Sequence, residues 1–258
     1  MYEALNIAAT GLQNQQKRLD TIANNVANVN SAAYKSARLD FKDALYTAGI
    51  VPALPRTPEG NQQKGHGVMI AGITKDFSTG SLQKTERKLD FAIEGEGFFE
   101  LEDPNGNIVY TRNGSLNLGS GDDGLYLVNG EGYYVHDADG MRIRVPDYFE
   151  DMVLGVDGAV TFTVAEDEEV TITLGLYTFR NITGLSSVGS GAYAESPASG
   201  ERLPADGAVI VQGTLEISNV DLAEEMTRMI RTQRAFSLAS RALTTADEME
   251  GIANNMRR

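Results

Sequence analysis

Apolar residues recur at helical spacing at both ends of this chain and at strand spacing between them. Over residues 3–30, Leu5, Ala8, Leu12, Gln15, Leu19, Ile22, Val26 and Val29 follow one another in alternating steps of three and four. That is the a/d seam of a coiled coil, with Gln15 as its polar member. About 28 residues at a rise of about 1.5 Å predict a rod of about 42 Å. Asn28, Asn30 and Ser31 supply its stop. At the other end, Leu222, Met226, Met229, Gln233, Phe236, Ala239, Leu243, Ala246 and Ile252 make a second stripe, with no Gly or Pro before Gly251. Either Asn219 or Asp221 is placed to cap this helix, and Glu224 and Glu225 suit its positive N-terminal end.

A seam this narrow buries little on a lone monomer. The two helices can pair with each other, and the asparagines ask for more. Ile22-Ala23-Asn24-Asn25 reappears as Ile252-Ala253-Asn254-Asn255, and Asn24, Asn25, Asn28, Asn254 and Asn255 all lie on or beside a seam. A buried Asn costs stability but fixes register and partner number. The expectation is that the two end helices pair and then pack against copies. The contacts would be Leu5, Leu12, Leu19, Ile22, Val26, Leu222, Met226, Met229, Gln233, Phe236 and Leu243, with the asparagines setting register.

From about 66 to 215 the period changes to two. Asn-Gly or Asp-Gly pairs at 105–106, 113–114, 129–130 and 139–140, among others, separate short alternating runs such as 91–93, 97–101, 108–111, 125–128, 159–164 and 170–179. Such runs predict an antiparallel sandwich or barrel. Residues 47–65, with Pro52, Pro55, Pro58 and Gly60, read as a linker or extended arm. The fold class is therefore α+β. An assembly helix is expected over 1–34, a linker and arm over 35–85, a β domain over 86–214, and a second assembly helix over 215–258.

Charge sharpens this division. The net charge is −14. Residues 1–50 hold five Lys/Arg against four Asp/Glu, residues 219–258 hold six of each, and the middle holds 11 basic against 26 acidic residues. An acidic chain is a poor partner for nucleic acid, whose binding rests on neutralising phosphates. Cysteine is absent, which removes disulfides and thiolate metal sites. No run of 18 apolar residues exists to enter a membrane, and the N-terminus lacks the basic-then-apolar order of a cleaved secretory signal.

Candidate chemistry is thin. His66 and His136 are the only histidines, and neither has a second His nearby in sequence. Asp103-Pro104-Asn105-Gly106-Asn107 and Asp137-Ala138-Asp139-Gly140 echo fragments of a calcium loop without its full ligand spacing, so hairpin turns explain them better. No nucleophile elbow or phosphate loop is present. A pair of glycosidase carboxylates is not legible from spacing alone. No catalytic residue and no cofactor is assigned.

Several segments resemble the bacterial flagellar rod and hook family. They are Ala8-Ala9-Thr10-Gly11-Leu12, Leu19 to Asn30, Leu89 to Ile93, Gly95 to Phe99, Tyr110 to Gly114, Gln212 to Glu216, Ser218-Asn219-Val220 and Gln233-Arg234-Ala235-Phe236. The likeness runs in order along nearly the whole chain. It implies a structural, non-enzymatic subunit of the flagellar basal body, stacked helically into a tube with terminal helices inside and the β domain outside. It implies partners too: copies of itself, neighbouring rod and hook subunits, ring proteins around the rod, and the type III export apparatus, which needs no cleaved signal. Phe41 and Leu45 look like the short export signal of this family, although an amphipathic turn explains the same pattern. Length and the 47–65 arm resemble distal members of the rod more than proximal ones or the longer hook subunits. Where the family usually has Gly before the aromatic residue of an Asn-x-x-Gly-aromatic-Lys turn, this chain has Ala33, which predicts a differently shaped turn. A reading of another class remains open: an extracytoplasmic carbohydrate-binding or hydrolytic β domain on an oligomerising helical stalk.

Overall fold

The computed structural model describes residues 2–44, 46–48, 63–65, 67–121, 124–155, 158–165, 168–205 and 207–256. They form two compact units. One comprises 1–27, 37–75 and 221–258 as far as these are described, and the other 28–36 and 76–220. The chain therefore crosses between units four times, at 27/28, 36/37, 75/76 and 220/221.

The first unit is built on two helices, α1 (Tyr2–Ala27) and α2 (Leu222–Met256), which pack against each other. The helix expected over 3–30 stops at Ala27, and a turn follows in which the Ser31 N–H donates to the Asn28 carbonyl at 3.1 Å. At the start of α2 the choice of cap is settled. Asp221 Oδ1 accepts from the N–H groups of Ala223 at 2.8 Å and Glu224 at 3.1 Å. The segment 35–85, expected as a linker and arm, holds paired strands where it is described. Ala37–Asp43 runs antiparallel to Val68–Lys75, with a bulge at Asp40/Phe41, and both lie against α1. Tyr46–Ala48 pairs with Gln63–Gly65; the rest of the arm lies outside the described residues.

The second unit is antiparallel throughout. Its main sheet runs, in spatial order, 186–189, 192–194, 108–111, 98–102, 134–135, 124–129, 114–121, 90–94 and 209–212, with 144–145, 176–179 and 202–204 attached as branches. A three-stranded sheet (151–154, 159–165, 168–173) contributes Met152, Val160 and Phe162 to the same core as Phe91, Phe99, Leu116 and Leu127 of the main sheet. A smaller cluster of Phe98, Tyr110, Phe179 and Tyr193 packs edge to face, with ring centroids 4.8 Å apart for Tyr110 and Phe179. Most of the alternating runs read from sequence are strands. The run 170–179 divides, because Leu174 turns aside to bridge Asp137.

Asn113-Gly114, expected as a turn, instead opens the strand Gly114–Gly121. A Cβ on Gly114 would sit 1.9 Å from the carbonyl oxygen of Phe91, so only glycine lets the two strands approach. Gly114→Ala is therefore expected to force the pair apart and destabilise the chain by about 3 kcal/mol, within the range of severe backbone clashes. Urea denaturation of the variant and the parent would check this.

Candidate functional site

The residues singled out from sequence fall on more than one face of the helix pair. Ile22 is buried, and Leu12, Leu19, Val26, Met229, Phe236 and Leu243 are half-buried. Leu222, Met226, Gln233, Asn24 and Asn255 are exposed. Leu45 and the side chains of Leu5 and Asn254 lie outside the described residues. The covered face of α2 also carries Glu225 and Thr232, both buried, so it is rotated from the stripe counted in the sequence. A second apolar face is left open. Leu222, Met226, Ile230, Leu238, Met249 and Ile252 are 44–66% exposed. Leu222, Met226 and Ile252 belong to the stripe counted from sequence, whereas Ile230, Leu238 and Met249 lie outside it.

Asn25 is used within the chain. Its amide accepts from the Ala37 N–H and donates to the Ala37 carbonyl, both at 2.9 Å, pinning the start of the 37–43 strand to α1. The Asn28 side chain is half-buried and accepts from the Ser31 hydroxyl at 3.2 Å. Phe41, on the strand, is half-buried with the Arg18 guanidinium 5.9 Å from its ring centre.

In the second unit, three segments that are distant in sequence meet at one carboxylate. Glu216 Oε1 accepts from Lys35 Nζ at 2.6 Å and from the Gly80 N–H at 2.7 Å, and Oε2 accepts from Arg112 Nε at 2.8 Å. The side chains of Lys35, Glu216 and Arg112 are 1%, 0% and 3% exposed. Lys35 also donates to the Ser78 carbonyl at 2.6 Å, and Arg112 spreads its remaining N–H groups over the carbonyls of Ile93, Gly95 and Gly97. Burial by itself disfavours the charge on Glu216. The bonds from Lys35, Gly80 and Arg112 outweigh that and hold its carboxyl below the usual range. Burial lowers Lys35 in turn, against the pull of Glu216.

The backbone completes this junction. A Cβ on Gly80 would meet the Ile217 carbonyl oxygen at 2.0 Å, so the two segments touch through glycine. Asn219 Oδ1 accepts from the Ser36 N–H at 2.8 Å, and Nδ2 donates to the Asp76 carbonyl at 2.8 Å. Ala33 takes φ 53° and donates its N–H to the Glu216 carbonyl at 2.8 Å. Alanine here adopts the left-handed backbone of a glycine, at about 1–2 kcal/mol of strain. Lys35, Arg112 and Glu216 each lie in a segment already noted for its resemblance. Their convergence is a matter of topology, and spacing carries no sign of it.

A second polar ladder lies across the sheet. His136 Nδ1 is 3.0 Å from Glu100 Oε1, and Nε2 is 3.1 Å from Glu102 Oε2. Arg202 clamps Glu100, and Arg142 grips both oxygens of Glu102 at 2.8 Å. The guanidinium groups stack on Tyr177 at 4.8 Å and Tyr134 at 4.5 Å. Arg142 is the main reason the Glu102 carboxyl is held down at about 2. The Asp103 and Asp137 carboxylates accept N–H groups two and four residues ahead, closing hairpin turns. Among the described residues, no group of three or more His, Cys, Asp and Glu could hold a metal ion. His66 lies outside them.

Every buried charge in the second unit's two clusters is engaged in holding segments together, which is the economy of a structural protein. The chain belongs to the flagellar basal-body rod family. Family descriptions match along its length: "Flagella basal body rod protein" at 5–35, "Flagellar hook protein FlgE/F/G D1 domain" at 92–162, and "Flagellar basal body rod FlgEFG protein C-terminal" at 211–256. It is 38% identical to the flagellar basal-body rod protein FlgG of Borreliella burgdorferi and 37% identical to that of Bacillus subtilis, over 100% of each chain in both comparisons. The flagellar hook-basal body complex protein FlhP of Bacillus subtilis is 30% identical, also over 100% of both chains. The relatives are structural rod proteins, and this chain is a structural subunit of the flagellar basal-body rod, of the distal kind.

Glu216→Gln leaves Lys35 and Arg112 buried without a counter-charge and is expected to cost about 3–5 kcal/mol in chemical denaturation. Ala33→Val puts a β-branched side chain at positive φ and is expected to cost about 2 kcal/mol more than alanine does. Glu216 and Glu102 both ionise more readily folded than unfolded. Their stabilisation is complete above the normal carboxylate range and is lost as the pH falls through it toward 2, in the case of Glu102. Thermal melts between pH 7 and pH 3 should show a steep loss that Glu102→Gln makes shallower.

Proposed function

We propose that the chain polymerises through its terminal helices into a hollow, helically wound tube that transmits torque in the distal rod. In this reading α1 and α2 pair as a coiled coil, and copies add along and around the axis. Parallel helix contacts, each small, then sum to a stiff shaft. The assembly contacts are Leu12, Leu19, Ile22, Val26, Leu222, Met226, Met229, Gln233, Phe236 and Leu243, together with Leu5. Asn24, Asn28, Asn254 and Asn255 help to fix register. The observation that carries the reading is the uncovered apolar face of α2, from Leu222 to Ile252, on a helix already packed on its other side. Exposed apolar side chains recurring along a helix of an otherwise charged chain support a protein contact.

The partners are copies of the chain and neighbouring rod and hook subunits. Ring proteins around the rod and the flagellar type III export apparatus complete the set, with Phe41 and Leu45 serving as the export signal before folding. The site of action is the extracytoplasmic basal body, and no described helix is long and apolar enough to cross a membrane.

Leu238 is 66% exposed, so Leu238→Asp leaves the monomer's packing intact. The variant is expected to keep its circular dichroism spectrum and to lose polymerisation in electron micrographs. Leu19→Asp, on the covered seam, is expected to lose polymerisation as well while the β unit stays folded. Normal rods from both would refute the reading.

A further inference from the structure

The main sheet of the second unit has two open ends. Its path runs from 186–189 to 209–212, and each of these strands has a single neighbour among the described strands, 192–194 and 90–94 respectively. An open edge is a template for pairing with another chain, and proteins commonly blunt it with charged residues or proline. The other edge strands of this unit carry charge: Lys84, Arg144, Asp151, Glu168, Arg202 and Glu216 each lie in one. Ser186-Ser187-Val188-Gly189 and Val209-Ile210-Val211-Gln212 carry neither charge nor proline.

The strand 209–212 is covered at one end only. There Gln212 accepts from the Leu154 N–H at 3.1 Å and donates to the Met152 carbonyl at 3.2 Å. Its other end borders a groove of about 290 Å³ whose walls include Leu174, Leu176, Pro204, Ala208, Val209 and Ile210. No described residue lining this groove is charged. At the far end of the sheet, the ladder between 186–189 and 192–194 pairs Ser187 with Tyr193 and Gly189 with Ala192, which leaves Val188 bulged out with no residue opposite. A bulge re-aims the side chain it carries. Val188 is 55% exposed, and residues 181–194 form the longest run without charge between 76 and 220.

Charge selects the occupant of the groove. The middle of the chain holds 11 basic against 26 acidic residues, so two such units repel wherever their carboxylates meet. Copies approach at least cost through uncharged surfaces, and the 186–191 hairpin and the groove are two of these. The other large apolar residues of this unit that are more than half exposed, Met141, Tyr148 and Val153, each have a charged residue within two positions.

We propose that the 186–191 hairpin of one copy docks on the 209–212 edge of the next, with Val188 in the groove beside Val209. Plug and groove are different surfaces, so the contact is head-to-tail. Such contacts do not close on themselves as a two-fold pair does, and they extend into rings or open helical filaments. The inference rests on the reading that copies polymerise, and it adds a contact between β units to the contacts between helices.

The test is made on full-length chains assembled into rods in cells. Val188→Asp changes an exposed side chain, so the purified variant is expected to keep its circular dichroism spectrum. Rod yield is expected to fall about tenfold or more, the effect of losing about 1.4 kcal/mol per contact. A second measurement stands whether or not that variant folds. The chain has no cysteine. Val188→Cys combined with Val209→Cys is expected to give a ladder of covalent multimers when assembled rods are treated with a short bis-maleimide, and neither single variant is expected to give one. Wild-type yield from Val188→Asp, or double-cysteine rods that react without a ladder, would overturn the docking. If Leu238→Asp still blocks assembly in that case, polymerisation through the helices stands and only the contact between β units falls.

Discussion

One buried carboxylate carries much of the architecture. Glu216 lies on a strand just before the chain leaves for its last helix, and it binds a lysine just after the first helix and an arginine from the β body. An unpaired charge at this depth would be expelled from the fold, and two cations here without the carboxylate would be worse. The requirement is therefore mutual: each segment is stable in place only while the other two are there. Asn219 extends the same logic through neutral bonds to Ser36 and Asp76. Three points where the chain enters or leaves the second unit are thus gathered around one polar centre. A junction of charged hydrogen bonds is directional and fixes the geometry of the segments it joins more tightly than apolar contacts do.

The terminal helices follow a different rule. Their covered faces are modestly apolar and include Glu225, Thr232, Gln15 and Asn25, so the pair is held with less apolar surface than a sealed core provides. α2 also keeps Ile230, Leu238 and Met249 exposed among charged positions such as Arg234 and Arg241. A helix that keeps apolar side chains uncovered in the monomer gains from a neighbour that covers them. Gln15 and Glu225 each keep one buried oxygen without a donor among the described residues.

Within the β unit, groups that looked chemically suggestive are consumed by structure. His136 and the two glutamates beside it are locked between arginines, and the aspartates of the calcium-like loops are spent on their own turns. Acidity in the middle of the chain is thus partly an internal resource, since several of its carboxylates pair with arginines across strands.

The sequence by itself determined the two terminal helices and most strands of the β unit, the acidic middle between near-neutral ends, and the family. Each of these rests on local periodicity, turn residues or short motifs that survive as a linear pattern. Helical spacing at both ends reads directly, because residues three and four apart share a face whatever lies beyond. Tertiary structure alone decided which face of α2 is covered, that Asn25 clamps a strand, that 37–43 and 68–75 pair, and that Gly114 serves close approach in place of a turn. It alone brought Lys35, Arg112 and Glu216 together across 181 residues of chain. The physical reason is common to all of these. A long-range contact is fixed by the packing of whole elements, and no spacing between two residues encodes it until the elements between them have folded.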